Sequence, residues 1–384
     1  MRSLIKVTNK QSEVVIIDSI GSEWLKYCIP EECSQSCVEI HHKVPFICSI
    51  LFPYRLLRYI VRYGLTSVSL LSSIISILKP KVVITFIDNN KFMGPMQDIF
   101  PDILFISVQN GTRLNEPTYT PNGSFTSFPH YFGFGSHELK MMSDAGAGVK
   151  HYYAVGSLKM GVFLSNLYKP VIKESERRKI CFISPYSNGL AKSPDENCIQ
   201  FMSTNQKLCG YLFQFSQEND VDIVIALRNE LGSVEYEEEL AFFEEVLGDS
   251  AVYSANNRKE MLSYQRGMES DLIVSVISTL LYELLGVNKK ILCFNFAQYM
   301  KKNKMQSDAW AAGFVNDERQ YDMLPDDLLM SHLSYDEFAQ KARILLEMSD
   351  DSYAKKTQSA KECYMHFGNQ YPHNAIRNLI ASKC

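Results

Sequence analysis

The residues of this chain that could do chemistry stand in short polar clusters, each directly after an apolar run. Asp88, Asn89 and Asn90 follow residues 82–87 (VVITFI), and Gln109, Asn110, Gly111, Thr112 and Arg113 follow residues 103–108 (ILFISV). A lone carboxylate among amides can take a proton from a substrate hydroxyl as a general base, so Asp88 is the candidate catalytic residue. Asn89, Asn90, Gln109, Asn110 and Arg113 would then grip the acceptor that carries the hydroxyl. Asp and Asn also close strands through Asx turns with no ligand involved. Two such clusters on neighbouring strands tilt the reading toward function.

A second set suits a bound nucleotide. Residues 271–276 (DLIVSV) include Ser275 and lead to Ser278 and Thr279, where a helix should begin. The unpaired amides of a first helical turn, with two hydroxyls beside them, make a site for a monophosphate or diphosphate. Glu283 lies one turn on, on the face of Thr279, where it could accept hydrogen bonds from ribose hydroxyls. Plain N-capping, with Glu283 near the positive helix end, explains the same residues equally well. Arg228 follows residues 221–227 (VDIVIAL), and its guanidinium fork matches a phosphate or a sugar carboxylate. Ser187 and Asn188 follow residues 179–184 (KICFIS) and complete the donor-binding set.

Other chemistries find no motif. The chain carries no P-loop, GxGxxG, HExxH or GxSxG pattern, and no metal-dependent donor site is expected. The expectation is therefore no cofactor and no metal, with a nucleotide sugar as co-substrate. Its leaving group would be stabilised by a helix N-terminus and cationic side chains.

Elements must position these clusters on one rim. Residues 14–17 (VVII), 82–87, 103–108, 130–135 and 151–155 read as buried strands, with helices over 65–78, 91–99 and 136–145. After a charged stretch at 171–178 (VIKESERR), strands are predicted at 179–184, 221–227, 250–253, 271–276 and 290–295. Helices at 202–218, 235–247, 259–269 and 279–286 separate them. Strands alternating with helices imply βαβ units, and two such sets imply an α/β protein with two Rossmann-like domains around an interdomain cleft. Their expected bounds are 1–170 for an acceptor-binding domain and 179–350 for a nucleotide-sugar-binding domain. Helices over 351–384 would pack back across both.

Bulk properties agree with this. The 384 residues are 46% apolar and 21% charged, too long for one ordinary core and too apolar for disorder. The formal net charge of -4 without a long basic run argues against a nucleic-acid partner. Ten cysteines are scattered, and free thiols in a reducing compartment are expected, in preference to a zinc site at Cys33, Cys37, His41 and His42. The first residues show no apolar secretory segment, so a cytoplasmic location is expected. Residues 44–78 are strongly apolar but interrupted by Pro53, Arg55, Arg58, Arg62 and Gly64. Such a basic amphipathic stretch either packs on the sheet with its arginines solvated or touches the inner membrane face as a peripheral contact.

The runs VVITFIDNN, ISVQNGTR, YYAVGSLKMG and DLIVSVISTLLYELLGVNKKILCFNF together resemble bacterial surface-carbohydrate biosynthesis proteins, of capsule and O-antigen type, in the GT-B glycosyltransferase superfamily. The resemblance covers about residues 80 to 300 and extends to the Kdo transferases and glycerophosphotransferases of capsule and teichoic-acid assembly. It implies a metal-independent glycosyltransferase whose carboxy-terminal domain binds the donor through Ser278, Thr279 and Glu283. The amino-terminal domain would bind a glycan or lipid-linked glycan acceptor. This chain departs from many such enzymes in lacking an obvious histidine base and a glycine-rich donor loop. A nucleotide-sugar epimerase and a non-catalytic nucleotide-sugar-binding or scaffold protein are the alternatives. The epimerase ranks lower because that chemistry needs several acids or bases, and Asp88 alone stands out.

Overall fold

Apolar runs too short for helices and rich in β-branched residues form strands, as their pattern predicts. The computed structural model describes residues 5–7, 12–39, 45–47, 51–112, 127–170, 177–276, 278–302 and 321–384. Fourteen strands are assigned among them. They are β1 (Ile5–Val7), β2 (Val14–Ile17), β3 (Gln35–Val38), β4 (Pro45–Ile47), β5 (Val82–Thr85), β6 (Leu104–Val108), β7 (Ser127–Gly133) and β8 (Gly148–Ala154). The rest are β9 (Arg178–Ile183), β10 (Val221–Glu230), β11 (Ala251–Asn256), β12 (Leu272–Ser275), β13 (Ile291–Phe294) and β14 (Leu329–Met330).

The chain divides into two compact units, one of residues 1–162 with 366–384 and the other of 163–365. In the first, a six-stranded sheet has the order β3-β2-β5-β6-β7-β8, and every neighbouring pair is parallel. β1 and β4 form a separate parallel pair. In the second, the order is β11-β10-β9-β12-β13-β14, again parallel throughout. Both are doubly wound Rossmann-like sheets, so the α/β expectation holds. Their strand order reverses between β2 and β5 in the first and between β9 and β12 in the second, and ligands of open α/β sheets bind at such switch points.

Helices close the sheet faces. In the first unit Ser67–Leu78 and Met93–Ile99 bury Leu71, Ile74, Ile75, Met93 and Met96 against Val15, Val83 and Phe105. On the helix Ser136–Asp144, Met141 and Met142 cluster with Phe128 and Tyr131 of β7. In the second unit Phe182 of β9 meets Phe243 edge-on at 5.8 Å between ring centroids, and the helix Glu196–Asn219 buries Phe201, Leu208, Leu212 and Phe215.

The sequence pattern misses the three-residue β1 and β4, the edge strand β3, where only Val38 of Gln35–Val38 is buried, and β14, only two residues long. The segment after 350 does not act as one group. The Tyr353 hydroxyl accepts from the Ile291 amide at 3.2 Å and that of Tyr364 from the Met323 amide at 3.0 Å, within the second unit. The helix Pro372–Ala381 belongs to the first. There Pro372 lies so near Gly161 that a Cβ on that glycine would meet its ring at 2.6 Å. Residues 163–170, assigned to the first domain on sequence, fall in the second unit, where the Phe163 ring lies 5.5 Å from that of Tyr264.

Phe182→Ala should destabilise the second unit by about 3–5 kcal/mol, the usual cost of emptying a fully buried aromatic site. Val61→Ala, at a side chain 80% exposed, should stay within about 0.5 kcal/mol of the parent. Urea melts of both variants read the difference as a shift of midpoint.

Candidate functional site

Because every strand in a parallel sheet ends on the same rim, the polar clusters of each sheet gather there. At the switch point of the first unit, β2 leads to Asp18 and β5 leads through Phe86 and Ile87 to Asp88, Asn89 and Asn90. The approach is close. Gly21 has φ 73°, and a Cβ there would lie 2.0 Å from the Phe86 ring, so a residue without a side chain is required. The Thr85 hydroxyl donates to the Ile17 carbonyl at 3.3 Å and accepts from the Ile87 amide at 3.1 Å, which shapes the turn.

Asp88 is fully buried, and its Oδ2 accepts from the Tyr131 hydroxyl at 2.7 Å. Tyr131, equally buried, covers the carboxylate from β7. Gln109 is buried too. Its Oε1 accepts from the Phe134 amide at 2.7 Å and its Nε2 donates to the Gly111 carbonyl at 3.0 Å, so its side chain ties the ends of β6 and β7 together. Asn89 and Asn110 are half-buried. Asn90 is buried, with a Nδ2 that meets no hydrogen-bond acceptor among the described residues. Arg113 lies outside the described residues, as do His41 and His42 of the weighed zinc site.

Sequence reasoning missed two further carboxylates on this rim. Asp18 ends β2 in the left-handed region (φ 66°) and is fully buried. Glu39, directly after β3, is also fully buried, and its Oε2 accepts from the Ser19 amide at 3.1 Å. Strands β3, β2 and β5 are adjacent, so three buried carboxylates follow three neighbouring strands. Glu39 could not be recognised because its strand was not. Lys159 was also missed: its ammonium lies 5.5 Å from the centre of the Phe86 ring. His130 offers no base here. It sits within β7, stacked on His151 at 4.6 Å between centroids, and burial, with the charges of His151 and Lys150, pushes its pKa down to about 4.

In the second unit the donor-site candidates flank the switch point between β9 and β12. Ser278 is the N-cap of the helix Thr279–Gly286, with its hydroxyl accepting from the Leu280 amide at 3.2 Å. Ser187 precedes the short helix Asn188–Ala191 without a side-chain capping bond. Asn188 donates through Nδ2 to Glu238 at 2.6 Å. Ser275 is buried and donates to the Ile183 carbonyl at 3.1 Å, stitching β12 to β9. Arg228 is exposed and its Nη1 donates to the Tyr186 carbonyl at 3.3 Å, so the guanidinium reaches back over the end of β9. Glu283 is buried and hydrogen-bonded with the Tyr264 hydroxyl, which burial and that carboxylate hold well above the ordinary tyrosine range.

A residue outside the predicted set organises this rim. Glu239, on the helix Val234–Leu247, is fully buried. Its Oε1 accepts from the Arg228 amide at 2.9 Å and from the Ser184 hydroxyl. Its Oε2 accepts from the amide of Asn229 at 2.9 Å and from its Nδ2 at 3.0 Å. One carboxylate thus ties Ser184, after β9, to the last residues of β10, which runs on to Glu230, three residues past the predicted end. Burial raises its pKa above the usual carboxylate value, against the pull of these bonds. In the sequence it lies inside a run of glutamates that reads as a solvated helix face. Asp220 and Asp222 have the spacing of a metal-binding pair, but they sit at the start of β10, on the opposite rim. Arg177 holds them at 2.7 and 3.1 Å. Among the described residues no group of three or more His, Cys, Asp or Glu could hold a metal ion.

Glu239 binds its proton more tightly in the fold than in the unfolded chain, so it contributes a stability that falls as pH rises through its raised pKa. Glu239→Gln removes that slope and turns an amide against donors. The variant should melt lower at neutral pH, and the gap to the parent should widen from pH 7 toward pH 5 in a melting-temperature series.

A family model described as "putative O-antigen biosynthesis protein" matches residues 106–321. No curated protein sequence matches the chain. Solved structures share the fold at low identity. One titled as a "putative UDP-N-acetylglucosamine 2-epimerase" from Listeria monocytogenes is 12% identical with a TM-score of 0.56, covering 99% of this chain and 96% of its own. A variant of the wall teichoic acid polymerase TagF is 10% identical with a TM-score of 0.55, covering 97% and 90%. The UDP-GlcNAc 2-epimerase of Methanocaldococcus jannaschii is 10% identical with a TM-score of 0.52, covering 98% and 100%.

Proposed function

The chain belongs to the family described as "putative O-antigen biosynthesis protein" and has the two-Rossmann-domain GT-B architecture; from that premise we propose that it transfers a sugar from a nucleotide-activated donor to a growing surface glycan. The observation that carries this reading is the construction of the second switch point. The amino-terminal turn of Thr279–Gly286, the turn at Ser187 and Asn188, and the Arg228 guanidinium drawn toward Tyr186 all stand at the ends of adjacent strands. A helix N-terminus flanked by the Ser278 and Thr279 hydroxyls, with a cation on the same rim, suits a sugar-nucleotide diphosphate. Such polar groups stabilise the leaving phosphate as charge grows on it, with no metal required.

In the first unit Asp88 is assigned as base. An acceptor hydroxyl loses its proton to Asp88 and attacks the anomeric carbon, and the bond from that carbon to the nucleotide phosphate breaks. Tyr131 covers Oδ2, so an acceptor hydroxyl that uses this oxygen takes the place of the Tyr131 hydroxyl. Glu283 is assigned to the donor ribose through the face it shares with Thr279. The buried framework around these residues, Gln109 and Ser275 above all, positions the loops and keeps them rigid.

One observation favours a second reading. The carboxylates of Asp18, Glu39 and Asp88 follow three adjacent strands, which supplies the several acids and bases that an epimerase needs, and two of the structures with this fold carry an epimerase title.

The decisive measurement is a thermal-shift screen against nucleotides and nucleotide sugars, followed by turnover with and without a glycan acceptor. A nucleotide at one hundred times its Kd should stabilise the protein by about 2.7 kcal/mol, and Ser278→Ala with Thr279→Ala should abolish that shift. Asp88→Asn should keep the shift and lose turnover about 10²–10⁴-fold. Conversion of the nucleotide sugar to its epimer without any acceptor would replace transfer by epimerisation. A D88N variant that turns over normally and only melts lower would make Asp88 part of the framework.

A further inference from the structure

The helix Phe52–Tyr63 buries none of its residues completely, unlike Ser67–Leu78, which follows it and is mostly core. Its inner face is nonetheless held. Phe52 packs against the cluster under the first sheet, and the Tyr59 ring lies 6.3 Å from that of Phe100. The Ser69 hydroxyl bonds to the carbonyls of Tyr59 at 3.2 Å and Gly64 at 2.6 Å. The helix is therefore fixed in orientation with its outer side open.

That outer side carries two stripes. Tyr54, Leu57 and Val61 stand at i, i+3 and i+7 and are 68%, 62% and 80% exposed. Leu65, just past the helix, is 85% exposed. Of the fifteen large apolar side chains exposed among the described residues, five lie between Leu51 and Leu65, so this is a patch and not ordinary scatter. Beside the apolar stripe runs a second of Arg55, Arg58 and Arg62, again at i, i+3 and i+7. Among the described residues none of the three forms an ion pair, and Arg62 only overlies the ring of Tyr63 at 5.2 Å. From Ile40 to Ile87 the sequence contains no Asp or Glu, while Lys43, Arg55, Arg58, Arg62, Lys79 and Lys81 fall within it, of which Lys81 is paired with Glu13 at 2.9 Å. In a chain with a net charge of -4, this is a segregated positive region.

We propose that the outer face of Phe52–Tyr63 docks on an anionic lipid bilayer, with Tyr54, Leu57, Val61 and Leu65 entering the headgroup boundary and Arg55, Arg58 and Arg62 binding lipid phosphates. An apolar stripe beside guanidinium groups is the pattern of a helix lying in the interface plane. The long arginine stems reach up to phosphates while neighbouring apolar groups sink deeper. Among the described residues no helix is long and apolar enough to cross a membrane, so the contact is peripheral. A protein groove would satisfy the apolar stripe, but only a negative one would also match three adjacent arginines. The inference stands apart from the donor-site reading and would survive its failure.

The test is flotation of the full chain with vesicles of phosphatidylcholine alone or mixed equally with phosphatidylglycerol. The expected result is binding to the mixed vesicles only, weakened by added salt. Leu57→Glu with Val61→Glu should abolish it. Arg55→Ala, Arg58→Ala and Arg62→Ala together should lower partitioning roughly a hundredfold, at about a factor of five for each basic residue. The corresponding lysine triple should retain most of it. Melting curves and the nucleotide thermal shift are recorded on each variant. Should the glutamate pair melt lower, the arginine triple, whose side chains lie outside the core, carries the test. Failure of the parent protein to bind mixed vesicles, or equal binding by the arginine triple, overturns the proposal. So does a dimer, seen by sedimentation, that the glutamate pair dissolves without any vesicle binding, since the face then meets a second copy of the chain.

Discussion

Parallel strand pairing is the constraint from which the rest of this structure follows. A parallel sheet must be covered on both faces, so its central strands, β2, β5, β6, β12 and β13, are mostly Val, Ile, Leu and Phe, and polar residues are expelled toward the strand ends and the sheet edges. Since all the strands of a sheet run one way, the residues that follow them collect on a single rim. The chemistry-bearing residues of each unit are thereby concentrated with no requirement that they be near in sequence. The two switch points then single out the part of each rim where the connecting helices diverge.

Gathering polar residues at a buried rim has an electrostatic cost, which buried carboxylates offset by accepting several hydrogen bonds each. Glu239 takes bonds from Ser184 after β9 and from Arg228 and Asn229 at the end of β10, and Glu39 and Asp88 take theirs from Ser19 and Tyr131. These acids act first as anchors. Rigid anchors under a loop are also what a binding site needs, because a loop held in place gives up little entropy when a ligand arrives. The positioning of Arg228 shows the link. Its backbone amide is fixed by Glu239 while its guanidinium remains exposed at the rim.

The first unit adds a helix that does neither job. Phe52–Tyr63 and Ser67–Leu78 are consecutive, equally long and both rich in apolar residues, yet one contributes its surface to the core and the other leaves Tyr54, Leu57 and Val61 in water. Exposed apolar area of this kind is unfavourable in an isolated chain. Its adjacency to three arginines gives it a coherent use at a charged lipid surface.

The sequence by itself determined the strands and their grouping into two α/β sets, because a short β-branched run ended by turn formers has few other stable fates. Residues 14–17 and 279–286 are an observed strand and helix with the predicted bounds, and the order of polar clusters after β5, β6, β9, β10 and β12 was legible for the same reason. Strand β3 was not, since an edge strand with Gln35, Ser36 and Cys37 lacks the apolar signature, and with it went Glu39. The tertiary structure alone decided which of the polar residues were spent internally. Gln109, Ser275 and Asp88 satisfy partners that lie 25, 92 and 43 residues away, and Glu239 reaches across 55. Such pairings are set by which strands become neighbours, a long-range outcome of packing that local composition and spacing do not encode. The same holds for the face of Phe52–Tyr63: periodicity announced an amphipathic helix, but only the packing of Phe52 and Tyr59 left its other apolar stripe outward.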